Sequence, residues 1–235
     1  MNKLLLLLAL FLLTSATICG QCRYCRTYED FLDEKWEPLD TVYCSIHSKG
    51  HQIMWGVCNY KLMTGDEHTD KLLNTAFAVM QADTLYVNCC NMRFEKSSLG
   101  KGYCKAARIE EHNLLFAGKP AGKDVKNEQS AGVGAAALAG ALFGGVVGGA
   151  IVGGIVGAVN ANKNLKNQVC YLVTSGADEK GIFNVKRFED QMMDRLLLSR
   201  DLIDLHNAYY AEKDKSKRRM ASRIIPILEE AGIIE

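Results

Sequence analysis

AGVGAAALAGALFGGVVGGAIVGGIVGAVNA, residues 131–161, carries no charged side chain, and ten of its 31 residues are glycine. Gly140, Gly144 and Gly148 recur every four residues, and so do Gly145, Gly149, Gly153 and Gly157. On a helix those two rows share one side, which would be nearly bare backbone. In water such a helix is poor, because ten glycines cost roughly 10 kcal/mol relative to alanine. In lipid the balance reverses, since each backbone N–H and C=O must be satisfied within the segment. Bare glycine faces then let helices pack closely. A helix over 131–161 would be about 46 Å long, enough to span about 30 Å of hydrocarbon with tilt. Folded at Gly144–Gly145 or Gly148–Gly149, each arm would reach only about 20 Å, so a hairpin would be re-entrant. A collapsed Gly/Ala linker and a tightly packed core helix are the competing readings. Eleven larger apolar residues, Leu142, Phe143, Ile151 and Ile155 among them, argue against a solvated linker.

Outward from this segment, the N-terminus has the three parts of a secretory signal. One lysine, Lys3, precedes ten unbroken apolar residues, Leu4 to Leu13, and the small, mildly polar Thr14–Gly20 follows. Residues 1–20 therefore read as a signal peptide, with the mature chain starting at Gln21. The expected location is the periplasm or cell envelope. Lipidation at Cys19 or Cys22 is a variant of the same route, disfavoured by Ile18 and Gln21 in front of them.

Charge is balanced on both sides of the apolar segment. Residues 21–130 carry 14 Lys+Arg against 15 Asp+Glu, and residues 162–235 carry 13 against 12. No field of one sign exists to draw in nucleic acid. The basic run Lys213–Arg219 reads as a solvated face, with a membrane-surface patch as the alternative. The eight cysteines after the signal, in an exported chain, lead us to expect at least one disulfide. Their pairing is not readable, since eight allow 105 connectivities.

Residues 21–118 read as a mixed α/β region and 119–130 as a linker. Thr27 caps a first helical turn with Asp30 three residues on. Thr41–His47 and Gln52–Asn59 read as a hairpin broken at Ser48–Gly50. Asp70–Met80 reads as a helix with Leu72, Leu73, Ala76, Phe77 and Met80 inward. Thr84–Cys90 is a predicted strand, and Tyr103–Gly118 holds one or two more. Residues 162–235 read as a hairpin, Gln168–Thr174 with Ile182–Lys186, followed by three helices. Phe188, Met192 and Leu196 mark the first. Leu202, Leu205 and Tyr209 with Ile203, His206 and Tyr210 mark the second. Met220, Ile224 and Ile227 mark the third, with a kink or break near Ile225 because of Pro226, and Gly232 as its stop. A lone hairpin is too small to support a sheet, so we expect it to join the N-terminal part in one domain. The fold class expected is α+β, with a glycine-rich apolar helix over 131–159 inserted in it.

Candidate chemistry is sparse. Cys22-Arg-Tyr-Cys25 is a C-x-x-C, a possible thiol pair, but no strand precedes it to deliver a helix N-terminus and lower a thiol pKa. Cys44, His47, His51 and Cys58 have residue types that suit zinc at a spacing that matches no standard knuckle. On a strand, Cys44 and His47 would face opposite sides. No pattern assigns a catalytic, cofactor-binding or metal site, and the small-molecule ligand, if any, is open.

The segment 131–161 resembles the glycine-zipper segments of bacterial envelope proteins. Asp30-Phe31, Leu85-Tyr-Val-Asn88 and Asp201-Leu-Ile with Tyr209-Tyr-x-Glu212 together resemble a family of uncharacterised exported proteins of gut-type didermic bacteria. That resemblance implies the envelope and carries over no catalytic residue. The expectation is a non-enzymatic envelope protein, attached to a membrane or to its own copies by a helix packed through Gly140, Gly144, Gly145, Gly148, Gly149, Gly153 and Gly157. The alternative is a soluble periplasmic binding or thiol-redox module using Cys22 and Cys25.

Overall fold

The computed structural model describes residues 22–122 and 168–234. The signal peptide expected at 1–20, most of the expected linker and the apolar helix expected over 131–159 lie outside the described residues. In chain order the N-terminal part comprises β1 (Cys22–Cys25), α1 (Tyr28–Leu32), β2 (Glu37–Leu39), β3 (Tyr43–Ile46), α2 (Lys49–Trp55), β4 (Tyr60–Met63), α3 (Glu67–Leu73), β5 (Ala78–Gln81) and β6 (Thr84–Asn88). It continues with β7 (Met92–Phe94), β8 (Ser97–Ser98), β9 (Tyr103–Ile109) and β10 (Asn113–Gly118). After the apolar segment come β11 (Val169–Val173), β12 (Phe183–Asn184), β13 (Lys186–Arg187), α4 (Asp190–Leu198), α5 (Ile203–Ala211), α6 (Lys215–Arg218) and α7 (Ala221–Glu230).

One ten-stranded sheet organises these elements, in the order β13-β11-β10-β9-β6-β5-β1-β2, with β4 joining β9 and carrying β3. Its central strands alternate with period two, as a sheet covered on both faces requires. Leu114 and Phe116 of β10, and Val169, Tyr171 and Val173 of β11, face one core. Leu115, Ala117, Cys170 and Leu172 face another, packed under α4, α5 and α7. The first core lies beneath α1 and a small sheet in which β12 runs parallel to β7 and β8 pairs with β7. A third core, built on Tyr24, Val79, Tyr86 and Tyr103, packs against Leu73 of α3. Both halves of the chain thus build one sheet, because β11 pairs antiparallel with β10.

The mixed α+β class stands, with four corrections of local detail. Of the hairpin expected between Gln168–Thr174 and Ile182–Lys186, only Lys186–Arg187 pairs with β11, because Phe183–Asn184 pairs with β7. The hairpin expected from Thr41–His47 and Gln52–Asn59 forms between β3 and β4 instead, since Lys49–Trp55 is helical. Ser48 accepts from the His51 N–H at one end of that helix, and Gly56, at φ 61°, closes the other in the left-handed region. The helix expected over Asp70–Met80 spans Glu67–Leu73, and Ala78–Gln81 is a strand. Asn88 explains the stop: its side-chain amide donates to the carbonyls of Leu73, Asn74 and Ala76 at 3.3, 3.1 and 2.9 Å, so the turn after α3 is held from β6. Finally, α7 continues through Pro226 to Glu230 without a break at Ile225, and a fourth short helix, α6, precedes it. Ile224 and Leu228, each 0 % exposed, hold both sides of the proline against the core. The Thr27–Asp30 capping box and the stop at Gly232, φ 62°, form as read.

The helical layer is locked by one carboxylate. Asp190 accepts from Arg218 Nη2 at 2.7 Å, Arg219 Nε at 3.1 Å and Tyr209 Oη at 2.9 Å. Burial alone would raise this carboxyl, but hydrogen bonds from Arg218, Arg219 and Tyr209 outweigh it and hold it well below the usual carboxylate range. The stability it contributes is present above the unfolded aspartate value of about 3.9 and is lost as pH falls through the depressed folded value. Asp190→Asn is expected to cost roughly 3 kcal/mol at pH 7, because it removes the counter-charge of the partly buried Arg218 and leaves Arg219 paired with Glu189 alone. Thermal melts of the two proteins should converge in strong acid; a constant difference from pH 7 to pH 2 would contradict this account.

Candidate functional site

The end of the sheet where Gly118 lies opposite Val169 concentrates the unusual chemistry of the described residues. Here the chain leaves β10 and returns to β11, and both strands are tied down by side chains. Asn59 donates to the Ala117 carbonyl at 3.3 Å, and the Asn59 and Gln168 side-chain amides bond to each other, the shorter contact being Gln168 Nε2 to Asn59 Oδ1 at 3.0 Å. Tyr171 Oη donates to the Lys119 carbonyl at 3.0 Å. Lys119 Nζ donates to the Gly56 carbonyl at 3.0 Å, which docks the C-terminus of α2 beside the exit. A lysine on the terminal carbonyl of a helix complements the helix dipole. Gly100, at φ 108°, is required in this packing, because a Cβ there would lie 2.0 Å from the Gly56 oxygen.

Two large apolar side chains stand in solvent next to that contact. Met54 and Trp55, immediately before Gly56, are each 70 % exposed, and Tyr43 and Ile46 on β3 are 61 % and 66 % exposed. His47 and His51 stack at 4.9 Å, and His51 lies against Trp55. Single exposed apolar residues are ordinary; several on adjoining elements mark a surface that meets something apolar.

Beneath the same end lie three thiols. Cys58 precedes β4, Cys89 follows β6 and Cys104 is in β9, and their sulfurs all lie within 4.8 Å of one another. The pairing of β6 with β9 sets Val87 opposite Cys104, which brings Cys89 diagonally across on the same face. A backbone bond from Cys58 N–H to the Lys101 carbonyl, 2.7 Å, brings in the third. All three side chains are buried. Hydrogen bonds from Cys58 and Cys89, with the Asn59 N–H and the nearby Lys119 ammonium, outweigh burial and hold the Cys104 thiol well below its usual range. Cys58 and Cys89, which share protons with it and are desolvated, are pushed up.

The thiols singled out in the sequence are arranged otherwise. Cys22 packs in the core beside Tyr24 and Val79, whereas Cys25 packs in the core on the opposite face of β1, so the C-x-x-C is not brought together. Burial pushes the Cys25 thiol up to about 12, with Asp30 adding to it. Cys44, His47, His51 and Cys58 do not converge either: Cys44 lies on exposed β3, His47 Nδ1 bonds the Cys58 carbonyl at 2.8 Å, and the Cys58 sulfur turns inward. None of the eight cysteines from Cys22 to Cys170 is joined in a disulfide, contrary to expectation. Cys89 and Cys104 were missed by sequence spacing, since only strand pairing makes them neighbours. The glycines of 131–161 lie outside the described residues, and among those described no helix is long and apolar enough to cross a membrane.

The profile of a family of unknown function, DUF6563, matches residues 23–235. The chain belongs to DUF6563. No curated protein and no solved structure matches it. The motif residues of this DUF6563 protein turn out to be structural: Asp30 completes a capping box, Asn88 holds the turn after α3, and Tyr209 bonds Asp190. The cysteines of this DUF6563 member should sort by burial. Pulsed alkylation of the native, reduced protein, read by mass spectrometry, should label Cys44 first and Cys90 next. Cys58, Cys89, Cys104 and Cys170 should react only on unfolding; native labelling of Cys104 at the rate of Cys44 would refute the packing described.

Proposed function

We propose that this protein is a non-enzymatic envelope protein whose α+β body is fixed to a membrane by residues 131–161, with self-association through their glycine faces. The observation that carries this reading is the register of β10 with β11, in which Gly118 lies opposite Val169. The apolar segment leaves and returns at one end of one sheet. A single traversal would put its two flanks on opposite sides of the bilayer, which that pairing forbids. A re-entrant insertion agrees with that pairing: as helices, two arms turning at Gly144–Gly145 or Gly148–Gly149 would each be about 20 Å and would reach only part of the bilayer's depth. Small-residue faces on the arms favour close packing, within one chain or between copies.

The surroundings of the exit support the same reading. Trp55 and Met54 stand exposed beside the Lys119–Gly56 contact. An exposed tryptophan close to a lysine suits the membrane–water interface. Export rests on the signal-like residues 1–20. The thiol-redox alternative loses its pair, since Cys22 and Cys25 face different cores.

The test is alkaline carbonate extraction of membranes from expressing cells, with a variant lacking residues 131–161 in parallel. The full chain should stay in the pellet and the deletion variant should be released, folded. Release of both would place the segment against protein, and retention of both would assign attachment to another part of the chain. In the retained protein, Gly149→Leu with Gly153→Leu should reduce cross-linking between copies several-fold without releasing it from the membrane.

A further inference from the structure

We propose that Cys58, Cys89 and Cys104 form a three-thiolate site for a soft monovalent metal ion, Cu(I). Three separate parts of the chain deliver three sulfurs, mutually within 4.8 Å, to one buried point. At a metal–sulfur distance of about 2.3 Å, a trigonal site needs sulfurs about 4 Å apart, so the cluster closes on an ion by small side-chain rotations. The residues are 4 %, 0 % and 1 % exposed, which excludes water as a ready further ligand.

The donor set selects the ion. It is all sulfur, and among the described residues no histidine, aspartate or glutamate joins it. His47, the imidazole beside Cys58, has Nδ1 on the Cys58 carbonyl. All-thiolate sets hold Zn(II) and iron–sulfur clusters as well as Cu(I), but structural Zn(II) sites are almost always four-coordinate, so three sulfurs with no fourth donor among the described residues favour Cu(I). A buried group of thiolates also needs compensating charge and donors. The Asn59 N–H and the Lys119 ammonium, fixed on Gly56, supply both from outside the sulfur triangle. Such outer contacts orient metal ligands and tune them.

As thiols, Cys58 Sγ donates to the Leu99 carbonyl at 3.4 Å and Cys89 Sγ reaches that of Val87 only at 3.8 Å. On binding, the ion takes the place of the thiol protons, which leave to solvent. The copper stays Cu(I) and the sulfurs stay thiolates throughout, so no oxidant or reductant is consumed.

The experiment uses the full chain, reduced and handled anaerobically, titrated with Cu(I) in competition with a chromogenic Cu(I) chelator and, separately, with Zn(II). One equivalent of Cu(I) is expected, with thiolate-to-copper charge-transfer absorption that stops rising at one ion per chain. X-ray absorption of that sample should show three sulfur neighbours and no nitrogen or oxygen. Cys104→Ser and Cys89→Ser should each weaken copper binding at least tenfold, while Cys44→Ser leaves it unchanged. Should a serine variant not fold, the sulfur count in the unaltered protein decides. Loss of all copper to the chelator, unchanged binding by folded Cys104→Ser, tighter binding of Zn(II) than of Cu(I), or a disulfide among the three in protein isolated from cells without reductant would each overturn the assignment.

Discussion

The antiparallel ladder between β10 and β11 is the constraint on which the rest of the structure depends. It joins two parts of the chain that the apolar segment separates, with Leu114 opposite Val173 at one end and Gly118 opposite Val169 at the other. Closing a long connection costs little more than closing a moderate one, since the entropy grows only with the logarithm of length. The gain is large by comparison: every side chain of β11 is buried, alternately in two cores. The helical layer follows from it, because α7 is tied to the start of β11 through the Ala221 N–H and the Gln168 carbonyl, 2.8 Å. So does the candidate site, whose Asn59–Gln168 pair bridges the two parts.

Much of the architecture was legible in the sequence where local chemistry and tertiary packing agree. The Thr27 cap, the strands within 103–118 and the amphipathic stripes at Met192–Leu196 and Ile224–Ile227 needed only spacing and residue type. Failures came where a long-range partner decides. Nothing in Asp70–Met80 announces that Asn88 will hold the turn after Leu73; the apolar spacing at Leu72, Leu73, Ala76 and Phe77 fits a helix equally well. Around the helix Lys49–Trp55, Ser48–Gly50 was read as a break and Gln52 onward as a strand because Ile53 and Trp55 favour one. Its true signals were the Ser48 cap and Gly56, two single residues outweighed by composition.

The candidate site shows the same division. Cys58 lay in a cluster read by spacing along the chain, yet its sulfur belongs with Cys89 and Cys104. Only the register of β6 against β9 makes those two neighbours, and register is set by the two-faced hydrophobic pattern of the whole sheet rather than by any local motif. The exposed Met54 and Trp55 were likewise invisible as a surface feature, because a strand reading would have buried alternate residues.

The position of β11 has a consequence for synthesis. A chain made from the N-terminus completes β9 and β10 first, and β10 then presents a bare edge, apolar on both faces, until Val169–Val173 follows. In that interval the longest uncharged stretch of the polypeptide lies a short way downstream of an unpaired strand, which is the combination that invites wrong pairing between nascent chains. A carrier that holds the polypeptide extended until its last third is available would remove the hazard. Folding after release of the finished chain, rather than during elongation, is the order of events this topology favours.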